Sequence, residues 1–265
     1  MNGKSNFHTH STWCDGKNTV EEMVRGALDQ GFTTLGFSSH AMFPADPWNW
    51  PVTAAKAAGY ADDVRACAAR HAGRLRVLCG IEADFVQGAC TPDRAAYAAL
   101  KPDYVIGSVH TVVAPDGAWV DVDNTPELLV RGVKEHFGGD SAAFVRAYFA
   151  QERAMIAACD FDIVGHPDLV RKFNRVLGYL DETADWYRAE LEETAAALAA
   201  SGKLTEVNTG GIARGWIDDA YPSPAFRALL RARGVRFVLS ADAHSVADLA
   251  VPYPRFEHAE EFVTL

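Results

Sequence analysis

Residues 223–244, SPAFRALLRARGVRFVLSADAH, carry the pattern from which the fold follows. A helix-patterned segment (223–233) stops at Gly234, where a left-handed residue closes the last turn cheaply. A short apolar run (236–240) follows, as a buried strand requires, and it leads into Asp242 and His244. Working outward, the same alternation recurs. Apolar runs at 6–8, 34–38, 76–81, 104–109, 162–165 and 204–208 complete seven candidate strands. Helical patterns at 19–30, 53–71, 92–100, 141–158 and 184–200 fall between them, with Gly31 and Gly202 again just past final turns.

Strands that alternate with helices imply a parallel α/β sheet with right-handed crossovers, and seven such units leave no exposed edge if they close. The expectation is a seven-stranded TIM-like (β/α) barrel. Its 265 residues suit one such domain spanning 1–265, and no Pro/Ser-rich linker or low-complexity tract divides it.

Hydrophobic residues make up 49% of the chain, enough for a substantial core, which excludes a disordered or fibrous protein. The formal charge of −10 argues against general binding to nucleic acid or anionic lipid, and leaves room for bound cations. Five cysteines, an odd number with no CxxC spacing, read as reduced thiols. The N-terminal MNGKSNFHTH has no apolar signal core, and no stretch reaches the roughly 18 apolar residues that span a bilayer. A cytoplasmic location is expected.

The chemistry lies in where the histidines fall. Six of nine, His8, His10, His40, His110, His166 and His244, stand at the C-terminal ends of the candidate strands. Glu82 and Asp242 also end strands, and Asp15 lies in the loop after the first. In parallel barrels that end is the mouth where active sites are built. The i, i+2 pairs His8/His10 and Asp242/His244 each present both side chains to one face of an extended chain. Imidazole and carboxylate suit zinc, iron or manganese, and nine donors at about three per ion point to three divalent metal ions. A lone core histidine is more often hydrogen-bonded packing, but six at one rim outweigh that reading. His71, His136 and His258 lie away from strand ends and receive no role, and Cys14 is read as packing.

The strings His8-Thr9-His10-Ser11, Cys14-Asp15-Gly16, Ser39-His40, Gly80-Ile81-Glu82, Ser108-Val109-His110, Gly165-His166-Pro167 and Ala241-Asp242-Ala243-His244 together resemble the PHP (polymerase and histidinol phosphatase) superfamily. Phe37-Ser38-Ser39-His40-Ala41, Glu82-Ala83-Asp84-Phe85 and Glu206-Val207-Asn208-Thr209-Gly210-Gly211 are similar to its histidinol-phosphate phosphatase branch. The resemblance implies a distorted seven-stranded barrel holding three metals. His8, His10, Glu82 and Asp242 would serve one, Glu82, His110 and His166 the second, and Asp15, His40 and His244 the third.

The expected activity is a phosphomonoesterase that hydrolyses L-histidinol phosphate to L-histidinol and phosphate in histidine biosynthesis, with a metal-bridging hydroxide attacking phosphorus. Glu82, Asp242 and His244 are the expected catalytic residues. Arg214, on a glycine-containing loop, is the first phosphate clamp and Arg171 the second, with Lys172 and Arg175 as neighbouring candidates. Glu206 and Asp84 read as orienters of histidine, partners of a substrate amine, or structural acceptors. The aromatic loop 43–50 reads as packing more than as a substrate cover. The alternatives are a phosphoesterase of another class, acting on a nucleotide, an oligonucleotide diester or phosphotyrosine, and a non-catalytic metal-stabilised module.

Overall fold

The structure, a computed structural model, describes residues 3–41, 54–258 and 261–265. The aromatic loop 43–50 lies outside them. In chain order the elements are β1 (Lys4–Asn6), α1 (Val20–Asp29), β2 (Phe32–Phe37), α2 (Ala54–Arg70), β3 (Arg76–Cys79), β4 (Ile81–Asp84), β5 (Val105–Ser108), β6 (Thr111–Val113) and β7 (Trp119–Asp121). There follow α3 (Pro126–His136), α4 (Ser141–Ala158), β8 (Ile163–Val164), α5 (Asn174–Leu177), α6 (Asp185–Ser201), β9 (Leu204–Asn208), α7 (Gly210–Ala213), α8 (Pro224–Ala232), β10 (Phe237–Ser240) and α9 (Tyr253–Phe256). The helices start where the chemistry directs: Thr19 and Glu22 cap α1 reciprocally, and Ser223 caps α8 with Pro224 in its first turn.

The fold is α/β with parallel sheets. Strands β1-β2-β3 form one and β10-β9-β8-β5-β4 another, every pairing parallel, while β6-β7 is a separate antiparallel hairpin. Isolated parallel bridges, Thr9 to Ala243 and His40 to Glu82, join the two larger sheets.

The run at 76–81, expected as one strand, is two. Residues 76–79 pair with β2, and after Gly80 the chain pairs with β5. Tyr104 packs against this break. A Cβ at Gly80 would lie 2.4 Å from the Tyr104 ring, and the Tyr104 hydroxyl donates to the carbonyls of Phe7 (2.6 Å) and Phe37 (3.0 Å). Two apolar clusters flank the sheets. The smaller takes Phe7, Leu78, Tyr104, Ile106, Ile163, Leu204 and Val238 from successive strands; the larger packs the other strand faces against the helices.

The hairpin β6-β7 and helix α3 were not among the expected elements. Pro115-Asp116-Gly117 is a turn signal, with Gly117 at φ +85°, and Thr125 accepts from the Leu128 N–H to cap α3. The segment expected as a helix at 92–100 is a 3-10 segment, Arg94–Leu100. Among the described residues no helix is long and apolar enough to cross a membrane, and all five cysteines are free thiols.

Candidate metal centre

The strand ends bring all nine expected metal-ligating residues together. Asn6 fixes the first: its side-chain amide donates to the His8 carbonyl and Thr9 hydroxyl, and its oxygen accepts from the Ala241 N–H at 2.8 Å. His8 and His10, both fully buried, then converge on Glu82 Oε2 at 3.0 and 3.6 Å. His40 Nδ1 reaches the same oxygen at 3.2 Å, while His166 and His110 reach Oε1 at 3.0 and 3.5 Å. Asp242 Oδ1 lies 3.3 Å from His10 and 3.7 Å from His8. Asp15 Oδ2 lies 3.0 Å from His244 and 3.9 Å from His40.

Four sets of donors lie within 4.8 Å of one another: His10/Asp15/His40/His244, His8/His10/Glu82, His8/His166/Asp242 and His40/Glu82/His110. Two residues reach in by unusual backbone, His166 at φ 21° and Asp242 at φ 49°. A left-handed non-glycine backbone costs roughly 1–2 kcal/mol, a strain found where function fixes geometry.

Electrostatics and hydrogen bonding agree that the cluster fits a divalent cation. Burial alone would raise the Glu82 carboxyl, yet His8, His40, His110 and the bond from His166 hold it well below its ordinary range. Burial opposes ionisation of Asp242 too, but Arg214, His8 and neighbouring histidines outweigh it; His40, His244 and His10 do the same for Asp15. The demand for positive charge shows on His110: despite burial, Asp84 and Glu82 raise it to about 10. His8 Nε2, His10 Nε2 and Glu82 Oε2 are buried and, among the described residues, make no hydrogen bond despite their close approaches. Such orphaned donor atoms are costly unless something else satisfies them.

The outer nitrogens are already oriented. Both Glu206 oxygens face His8 Nδ1, at 3.0 and 3.1 Å, and Oε1 also accepts from the His166 N–H at 2.8 Å. Asp84 Oδ1 lies 2.8 Å from His110 Nδ1. Glu206 and Asp84 do not line the cavity; both face histidine rings and both also accept backbone N–H bonds, Glu206 from His166 and Asp84 from His110, so they join the orienting and structural-acceptor readings.

A cavity of about 350 Å³ opens over the cluster, walled by Asp15, His40, Glu82, His110, His166, Asp242 and His244, with Asp123, Asn124, Leu169, Lys172 and Arg214. His8 and His10 are not part of its wall. Arg214 Nη2 donates to Asp242 Oδ2 at 2.8 Å and Nη1 to the Asp242 carbonyl at 3.1 Å. Gly210 permits that approach, since a Cβ there would stand 2.6 Å from both Arg214 Nη2 and Asp242 Oδ2.

Arg171, the second expected clamp, is not on this wall. Its guanidinium bonds Glu182 at 2.6 Å and approaches Asp168 at 3.5 Å. Lys172 takes the place, with Nζ bonded to the Asp123 carbonyl and carboxylate at 2.7 and 2.9 Å. Arg175 is turned to Asp218 and the Gly215 carbonyl. Asp123 and Asn124, which sequence reasoning missed, follow the unexpected β7; the polar run after that hairpin was the available signal. Lys172 and nearby histidines overcome burial to hold Asp123 at about 2. Cys14 sits 3.5 Å from His10 Nδ1, outside the four donor sets.

Behind His166, the Tyr148 hydroxyl donates to Glu152 Oε1 at 2.9 Å, and burial pushes this carboxyl well above its ordinary 4.5. The folded protein therefore keeps a proton that the unfolded chain releases near 4.5. Stability from this group is complete below that pH and is lost as pH rises, by up to about 1.4 kcal/mol per pH unit until the folded-state carboxyl ionises. Glu152→Gln, which keeps an acceptor for Tyr148, should flatten that slope. Denaturant midpoints of both proteins between about pH 5 and pH 8 check it; parallel slopes would exclude a buried neutral acid.

Comparison with known proteins agrees with this geometry. The PHP domain family model matches residues 6–210. A Deinococcus radiodurans protein named "Probable histidinol-phosphatase" is 32% identical over 253 residues, covering 94% of this chain and 89% of its own. Among solved structures, the hisK protein of Listeria monocytogenes superimposes with a TM-score of 0.82 at 20% identity, over 96% of this chain and 100% of its own. A histidinol phosphate phosphatase (HISK) from Lactococcus lactis, complexed with Zn, L-histidinol and phosphate, gives 0.67 at 18% identity over 99% and 95%. The family match over residues 6–210 and the likeness to the Deinococcus radiodurans relative over 94% of the chain place the chain in the PHP domain family.

Proposed function

We propose that this chain is a metal-dependent phosphomonoesterase that hydrolyses L-histidinol phosphate to L-histidinol and phosphate, a step of histidine biosynthesis. The observation that carries the reading is the gathering of six histidines and three carboxylates beneath one cavity that also bears Arg214 and Lys172. The names of the relatives supply the substrate.

The two parallel sheets are read as parts of one distorted seven-stranded barrel in which β3 and β4 count as a single broken strand. The bridges at Thr9–Ala243 and His40–Glu82 and the inner apolar cluster support this. Three divalent ions of zinc, iron or manganese would be held by His8, His10, Glu82 and Asp242, by Glu82, His110 and His166, and by Asp15, His40 and His244. Bound there, such ions lower the pKa of water toward about 7 and draw charge from phosphoryl oxygens.

The protein's own groups then set geometry and charge. Arg214 spends two N–H contacts on Asp242 and a third faces His244 Nδ1 at 3.2 Å; its guanidinium carries five, so two remain for phosphate oxygens. Lys172, ion-paired with Asp123 at 2.9 Å, supplies an ammonium contact on the same wall beside the guanidinium of Arg214. Departure of an alkoxide requires a proton; Glu82, Asp242 and His244, all on the cavity wall, are read as catalytic through the charge and ligand geometry they hold there. The reading includes a cytoplasmic location and a small-molecule substrate.

The test offers the protein, loaded with Mn²⁺ or Zn²⁺, histidinol phosphate, a nucleoside monophosphate, a phosphodiester and a phosphotyrosine peptide. The highest kcat/KM is expected on histidinol phosphate; a preference for another member would replace the substrate assignment. Arg214→Ala should raise KM and lower kcat/KM by roughly 10–100-fold, as loss of charged hydrogen bonds does. Its metal content should stay unchanged, and unaltered kinetics would move the clamp elsewhere.

A further inference from the structure

A second cluster of donors lies away from the cavity, between α1 and α2. Glu21, in the first turn of α1, accepts from the Cys67 thiol at 3.3 Å on Oε2 and lies 3.1 Å from His71 Nε2 on Oε1. Cys67 and His71 are four residues apart, and the His71 N–H donates to the Cys67 carbonyl at 3.1 Å, so both side chains share one helical face. The thiol, imidazole and carboxylate donor atoms all lie within 4.8 Å of one another. Cys67 is fully buried and His71 8% exposed, and His71 Nδ1 has no hydrogen-bond partner among the described residues. Among the described residues Glu21 is thus the one polar group that fixes the His71 ring, and a cation on Nε2 displaces no other partner of that nitrogen there.

We propose that Glu21, Cys67 and His71 form a separate binding site for one borderline-soft divalent ion of the Zn²⁺ or Co²⁺ type, stapling α1 to α2. Sulfur, nitrogen and oxygen donors in this number match the three-ligand pattern, with water in the fourth position. On binding, the Cys67 S–H bond breaks, the sulfur keeps the electron pair as a thiolate ligand, and the proton leaves to solvent. The charge that Glu21 now receives comes from Arg25 at 2.8 Å and Arg70 at 2.9 Å. Their side chains are 71% and 52% exposed, and exposed ion pairs of this kind are weak, so both can swing into water when a divalent ion supplies the charge instead.

The ligand chemistry supplies the test, since the donors proposed for the cavity are nitrogen and oxygen only. The protein titrated with Co²⁺ beyond the capacity of the cavity should develop near-ultraviolet sulfur-to-cobalt charge-transfer absorption. Cys14→Ser, which removes the thiol beside His10, should keep the band. Cys67→Ser should lose it while phosphatase turnover is unchanged, and His71→Gln should shift the titration to higher Co²⁺. Absence of the band in the unmodified protein, or its survival in Cys67→Ser, overturns the proposal. Should Cys67→Ser fail to fold by circular dichroism, His71→Gln decides, and an unshifted titration overturns it equally. The site stands apart from the phosphatase reading: a protein showing the Cys67-dependent band without turnover would end that reading and leave this one.

Discussion

Glu82→Gln is expected to lower turnover of histidinol phosphate by roughly 10³-fold or more and to strip bound metal, with the secondary structure retained. No other side chain of the cluster touches as many of its members. Oε2 faces His8, His10 and His40, while Oε1 faces His110 and His166 and accepts from the Ser108 hydroxyl at 2.8 Å. The carboxylate therefore supplies shared negative charge to donors that follow four strands, β1, β2, β5 and β8. Its amide replacement has almost the same volume, so packing is kept. It also turns an NH₂ toward nitrogens that must stay free to bind metal. Metal analysis by mass spectrometry, circular dichroism and kcat/KM on one preparation separate these effects. A variant with full metal content and normal turnover would remove Glu82 from the centre of the site.

The gathering of these donors was legible in the sequence because all of them but Asp15 stand at the ends of apolar runs, and a parallel fold delivers such ends to one side. The run at 204–208 returned as β9 with the same bounds, since both its faces are buried and its alternatives are few. Gly80 was harder. Nothing local announces that a tyrosine 24 positions later fills the space a side chain would need, so one apolar run became two strands. The β6-β7 hairpin was missed because three-residue ladders carry little periodicity and depend on their neighbours for stability.

The cation of this loop that reaches the cavity wall is Lys172, one position past the expected Arg171, for a definite geometric reason. Leu169–Arg171 is a 3-10 turn, in which residues three apart eclipse. Leu169 and Lys172 therefore face the cavity together, and Arg171 turns toward Asp168 and Glu182. Charge alone made the cations of this loop equivalent; the three-residue period of a single turn separated them.

Glu206→Gln is expected to weaken metal affinity or turnover by roughly 10–100-fold, with KM for the phosphate ester little changed. Glu206 lies off the cavity wall, so it acts through what it holds. Its oxygens face His8 Nδ1 and accept from the His166 backbone N–H and, at 2.7 Å, from the Asn208 amide. Burial opposes its charge, but His8 and its bonds hold the carboxyl below the ordinary range, so it acts as an acceptor toward all three. A glutamine keeps one acceptor oxygen and must aim an NH₂ at a group that is itself a donor. The His8 ring would lose its tautomeric bias, and the strained His166 backbone would lose an anchor. Asn208 also accepts from the Gly210 N–H at 2.9 Å, at the start of the helix that leads to Arg214. A purely structural loss would therefore disturb the phosphate clamp and raise KM. A loss of metal orientation would instead lower kcat and be partly restored by raising Mn²⁺ or Zn²⁺. Turnover measured across a metal titration distinguishes the two, and a titration superimposable on that of the unmodified protein would exclude Glu206 from setting the ligands.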